Sequence, residues 1–111
     1  MKLDFDTIQP SVLKNFQGGR GELVSRRYQD ENNKITKAVL SPGSSIGMHT
    51  HAATSEVIFI LSGEGTMYLG DGTVEKLTAG DCHYCPRGSS HSFANEGTED
   101  LIFRAVVPEH K

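Results

Sequence analysis

Short runs of apolar, β-branched and aromatic residues, separated by glycine, proline, asparagine and aspartate, run through almost the whole chain. Leu23 to Gln29, Lys34 to Leu40, Ser55 to Leu61, Thr66 to Leu69, Thr73 to Leu77, Asp81 to Pro86, Ser90 to Asn95 and Leu101 to Val107 each read as a strand. Asp30-Glu31-Asn32-Asn33 supplies turn residues between the first two, which predicts a hairpin. Ser41-Pro42-Gly43, Gly63-Glu64-Gly65, Gly70-Asp71-Gly72, Ala79-Gly80-Asp81 and Glu96-Gly97-Thr98 punctuate the rest. The first twenty residues, with Pro10 and the Gly18-Gly19-Arg20-Gly21 cluster, predict an irregular or edge segment. Pro10 interrupts Phe5 to Phe16, so no amphipathic helix is expected. Many short strands at regular spacing predict an all-β, antiparallel sandwich or barrel.

Composition narrows this picture. At 111 residues, the expectation is one domain spanning 1–111. A hydrophobic content of 36% requires a compact core, and a barrel or a dimer interface would help to bury it. The net charge of -3, without a long basic run, argues against a nucleic-acid partner. No apolar stretch approaches a membrane span, and the first residues lack the apolar core of a signal peptide. A soluble, cytoplasmic protein with no membrane partner is expected. Cys82 and Cys85 are spaced C-x-x-C, but no second pair accompanies them. Residues three apart on a strand face opposite ways, so the expectation is two reduced thiols.

The candidate chemistry lies in His49, His51, Glu56 and His91. His49 and His51 are two apart, which on a strand puts both imidazoles on one face with Thr50 turned away. Glu56 opens the following strand, and the link 52–55 can fold it back to the same face. His91, Phe93 and Asn95 share a face of a later strand, which a barrel would bring opposite. Three imidazoles and a carboxylate suit one divalent transition metal and leave coordination positions open. Glu56 is also a candidate catalytic base. His83 and His110 have no partner at ligand spacing and read as surface or satisfied polar residues. Gly63, Gly80 and Gly88 fall at turns that call for positive φ, and Pro86 ends a strand.

These residues stand in a frame: Gly43-x5-His49-x-His51-x4-Glu56-x6-Gly63, then Gly80-x5-Pro86-x-Gly88-x2-His91-x3-Asn95. The two segments resemble the paired signature motifs of the cupin superfamily, with no position missing over 43–95. The resemblance implies a double-stranded β-helix, or jelly-roll barrel, with His49, His51, Glu56 and His91 as metal ligands. It implies a homodimer, which residues 1–40 could build by exchanging N-terminal strands. Manganese or iron is favoured among the metals it implies, with zinc, nickel, cobalt or copper also compatible. The expected activity is a dioxygenase-type, metal-dependent oxidoreductase acting on a small organic molecule. The alternatives are a non-catalytic module binding metal and a small ligand, and a sugar-phosphate isomerase. Substrate-pocket candidates are Ile58, Ile60, Met67, Tyr68, Phe93 and Phe103 as apolar wall, with Tyr84, Arg87 and Arg104 to orient an anion.

Overall fold

The computed structural model describes residues 1–111 and contains ten strands and two single-turn 3-10 helices. The strands are β1 (Ser11–Lys14), β2 (Glu22–Gln29), β3 (Asn33–Leu40), β4 (Ser45–Thr50) and β5 (Glu56–Ser62). They continue with β6 (Glu64–Leu69), β7 (Val74–Thr78), β8 (Cys82–Cys85), β9 (Ser90–Ala94) and β10 (Leu101–Pro108). A large sheet has the order β1-β2-β3-β10-β5-β8, and a small sheet the order β4-β9-β6-β7. Every pairing is antiparallel. This is the all-β double-stranded β-helix that the strand pattern and the motifs predicted. No helix is long and apolar enough to cross a membrane.

The β2–β3 hairpin forms where the turn chemistry placed it. Asp30 Oδ1 accepts from the backbone N–H groups of Asn32 and Asn33, each at 2.8 Å. The Gly63 turn differs from a hairpin: β5 belongs to the large sheet and β6 to the small one, so the chain changes layers there. Gly63 has φ of +85°, and an added Cβ would strike the Asp100 carbonyl. Gly80 and Gly88 also take positive φ, as their turns require. The N-terminal segment contributes a short edge strand, β1, paired with β2.

Strand alternation builds the core. Leu23, Ala38, Leu40, Ile58, Ile60, Leu101, Phe103 and Ala105 face inward from the large sheet, and Ile46, Met67, Leu77 and Phe93 meet them from the small one. The register aligns Leu23, Leu40 and Leu101 in one row at the closed end of the sandwich. Farther along the same strands, Arg27, Thr36, Ala105, Ile58 and His83 form another row. The inward face therefore changes from aliphatic to polar along the strands. Asn95 locks a loop at the closed end: its amide donates to the Leu40 and Glu99 carbonyls and accepts from Gly97 N–H.

Candidate metal centre

Three short stretches of chain deliver the four motif side chains to one point. His49 lies on β4 directly opposite His91 on β9. A bulge between Ile46 and His49 sets that register. Two inward residues separated by two others do not fit plain alternation; the extra residue leaves Met48 exposed and turns His49 inward. His51 follows the end of β4, and Glu56 starts β5. Their potential ligand atoms all lie within 4.8 Å of one another.

The individual separations are shorter. His91 Nε2 is 3.1 Å from His49 Nε2, 3.1 Å from His51 Nε2 and 3.0 Å from Glu56 Oε1. His51 Nε2 is 3.3 Å from the same carboxylate oxygen. Metal–ligand bonds of ~2.1 Å place donors ~3.0 Å apart at right angles and ~3.4 Å apart at tetrahedral angles. The donor set thus has the spacing of a ligand shell, and three of these four edges are nearer the right-angled value.

Outer hydrogen bonds fix how the rings point. His49 Nδ1 donates to the Gly47 carbonyl at 2.8 Å, and His51 Nδ1 pairs with Thr54 Oγ1 at 2.8 Å. His91 Nδ1 lies 3.0 Å from His83 Nε2. All three Nε2 atoms therefore converge on the carboxylate. Imidazole lone pairs facing each other at this distance repel, so protons or a cation must sit among them. A divalent transition metal fits both the donor chemistry and the spacing.

Burial shapes the electrostatics. It pushes the Glu56 carboxyl up, but hydrogen bonds from His51 and His91, together with their charges, outweigh that and hold it at about 2. Glu56 is therefore a carboxylate in the folded protein. Burial pulls the His49 pKa down, against the hydrogen bond to Gly47. Cys85, paired in register with Glu56, is pushed to about 11 by burial and by the Glu56 charge. It remains a thiol. Cys82 and Cys85 are unpaired, one exposed and one buried, as strand alternation predicted.

A cavity of about 60 Å³ adjoins His49, Glu56 and His91. Of the residues expected to line it, Ile58, Phe93 and Phe103 do so. The other six lie elsewhere. Ile60 and Met67 face inward but are packed in the core. Tyr68 points out from β6, where its hydroxyl donates to Glu96 Oε2 at 2.7 Å. Tyr84 is 57% exposed, between the inward residues His83 and Cys85. Arg87 is exposed in a loop, with Nε 3.4 Å from the Ala52 carbonyl. Arg104 stands on the outer face of the large sheet, over the ring of Phe5. The physical reason at Tyr68, Tyr84 and Arg104 is the two-residue period of a strand, which turns each away from its inward neighbours.

Arg27, Ser25 and Thr36 also line the cavity and were missed. The signal for Arg27 and Ser25 was their alternation with Leu23 along β2. His83 is the satisfied polar residue its spacing allowed, but a buried one rather than a surface one. It is 3% exposed and joins His91 to Glu75, whose Oε1 is 2.8 Å from His83 Nδ1. Its two-residue spacing from Cys85 was the available clue. His110 is a satisfied polar residue, as expected: its Nε2 is 2.9 Å from Ser55 Oγ, and its backbone N–H donates to Ala53 O.

An antiparallel double-stranded β-helix with three histidines and a glutamate converging inside it defines a class of small barrel proteins. The family model of the cupin domain matches residues 36–107, and the chain belongs to that family. It is 36% identical over 106 residues to an oxalate-binding protein of Thermotoga maritima, covering 90% of this chain and 87% of that one. A solved structure from Thermotoga maritima, described as a predicted oxalate decarboxylase, superposes with a TM-score of 0.90 at 32% identity, covering 98% and 99% of the two chains. An uncharacterized conserved protein with a double-stranded β-helix domain from Klebsiella pneumoniae superposes at 0.78 with 26% identity, over 99% and 90%.

Proposed function

We propose that this cupin uses a divalent metal held by His49, His51, Glu56 and His91 to bind a small dicarboxylate of the oxalate class. The carrying observation is the ligand-spaced donor set beside a cavity of about 60 Å³. A water needs roughly 10–15 Å³ of such space, so the cavity suits a molecule of about four to six heavy atoms. Arg27 is the cation lining it, and a guanidinium pairs well with a carboxylate. Ile46, Ile58, Phe93, Phe103 and Ala105 form a wall that limits ligand size and excludes water. The 36% identity to an oxalate-binding protein supports the same ligand class. When bound, the metal supplies Lewis acidity and, if it is manganese or iron, a redox-active centre. Glu56, held as a carboxylate with a pKa of about 2 by its two histidines, supplies negative charge to the metal, and it gains strength as a base only if it leaves those partners.

Calorimetric titration of oxalate into manganese-loaded protein tests this reading. Oxalate is expected to bind only with metal present, more tightly than acetate, and at least ~10-fold more weakly after Arg27→Ala. Equal binding to metal-stripped protein, or no preference over acetate, would sink it.

The apolar share of the cavity wall favours a second reading, in which the centre is a dioxygenase-type oxidoreductase: dry walls protect reactive species from water. Oxygen uptake with iron- or manganese-loaded protein and small acids separates catalysis from binding alone. A sugar-phosphate isomerase fits less well, because Arg27 is the one cationic side chain among the lining residues. We further place the outer face of β5 and β8 in a homodimer, since Phe59, Leu61 and Tyr84 stand exposed there at 46%, 38% and 57%. The edge position of β1 suits strand exchange. Free thiols suit a reducing, cytoplasmic setting. Residues 1–111 would then act as one domain per protomer.

A further inference from the structure

We propose that Glu75 and His83 are positioning residues of the metal centre. They form a hydrogen-bond chain that holds His91 with Nε2 toward the cluster and so sets how tightly metal is retained. The inference rests on the metal-site reading above and extends it to two residues that are not signature positions of the motifs.

The chain crosses the sandwich twice. Glu75 on β7 of the small sheet contacts His83 on β8 of the large sheet, and His83 contacts His91 on β9 of the small sheet. The separations are 2.8 Å from Glu75 Oε1 to His83 Nδ1 and 3.0 Å from His83 Nε2 to His91 Nδ1. His83 and His91 rings stack with centroids 5.2 Å apart, and both side chains are 2% exposed. Glu75, at 40%, reaches solvent.

Donor logic gives the chain a direction. A carboxylate can only accept, so the Glu75 contact puts the proton of neutral His83 on Nδ1. His83 Nε2 then carries a lone pair and accepts from His91 Nδ1–H. With a metal bound, His91 Nε2 is left with its lone pair for the ion it shares with His49, His51 and Glu56; without metal, the same Nε2 carries a proton toward Glu56. The reverse direction would require a protonated Glu75 carboxyl or a doubly protonated His83.

The other two histidine ligands do not depend on such a choice of tautomer. His49 is fixed by a backbone carbonyl, which cannot donate, and His51 by a hydroxyl that adapts. His91 instead leans on a second imidazole, which by itself could present either a donor or an acceptor. Glu75 removes that ambiguity, and its negative charge at the far end strengthens His91 as a donor to metal.

The test uses the full chain stripped of metal and titrated with manganese(II) or zinc(II) against a competing chelator. Glu75→Ala is expected to raise the metal Kd ~10–100-fold, and Glu75→Gln by less, because the amide oxygen still accepts. Glu96→Gln, a surface carboxylate outside the chain, should leave the Kd unchanged. Nitrogen-15 spectra of the zinc-loaded protein provide a readout independent of affinity. Wild type should show protons on Nδ1 of both His83 and His91, and Glu75→Ala should show mixed tautomers at His83. Unchanged affinity and tautomers in Glu75→Ala, with metal still lost in His51→Ala, would overturn the chain and leave the metal centre standing. Failure of the wild type to bind either metal would overturn both.

Discussion

Replacing Glu56 by glutamine should remove a specific acid sensitivity from the metal-stripped protein. Burial opposes the charge on Glu56, but hydrogen bonds from His51 and His91 prevail and lower its pKa from 4.5 to about 2. At about 1.4 kcal/mol per pH unit, that gap corresponds to roughly 3 kcal/mol. The side chain is 15% exposed, so solvent screening takes little from this value. Because the folded pKa is depressed, the stabilisation is complete above the unfolded value of 4.5 and is lost as pH falls through about 2. His49, whose burial lowers its pKa, also favours unfolding as pH falls below its ordinary 6.5; the Glu56 charge partly offsets this in wild type, so only the remainder cancels between the two proteins. Urea unfolding of wild type and Glu56→Gln, with chelator present, should therefore show a stability difference that shifts against wild type by roughly 3 kcal/mol between about pH 5 and pH 2. Asp30 and Asp71, also depressed in the fold, cancel in that difference. A difference that stays constant across this range would refute the account of how Glu56 is held.

Three further outcomes follow from the same geometry. His91→Ala or His49→Ala should lose bound metal in elemental analysis, while circular dichroism still reports the β-sandwich. Phe93→Ala should cost ~3–5 kcal/mol in urea unfolding, since Phe93 is 2% exposed and packs edge-on against Phe103 at 5.3 Å. A thiol reagent should modify Cys82 in the native protein and reach Cys85 only on unfolding, because Cys85 is 2% exposed and its pKa is pushed up to about 11.

Much of the fold was legible because its signals are local. Asp30, Asn32 and Asn33 formed their turn where the sequence placed it, and Gly63, Gly80 and Gly88 took the positive φ their turns called for. The layer change after Gly63 was not legible. A glycine turn allows a hairpin or a crossing, and only packing between the sheets decides which. The orientation of His49 was half legible. Its spacing from His51 suggested a shared face, but the bulge that turns it toward His91 depends on β9 across the sheet.

The sequence by itself determined most of the strands, though not β1 or the extent of β4, together with the family and the four residues that converge, because spacing along a strand dictates which side chains can share a face. Tertiary structure decided what surrounds them. Tyr68, Tyr84 and Arg104 turned outward, Arg27 came to the cavity, and His83, which the spacing had left without a role, joined His91 to Glu75. The physical reason is that a one-residue uncertainty in register reverses the face of a side chain, and register is set by partner strands far away in the chain.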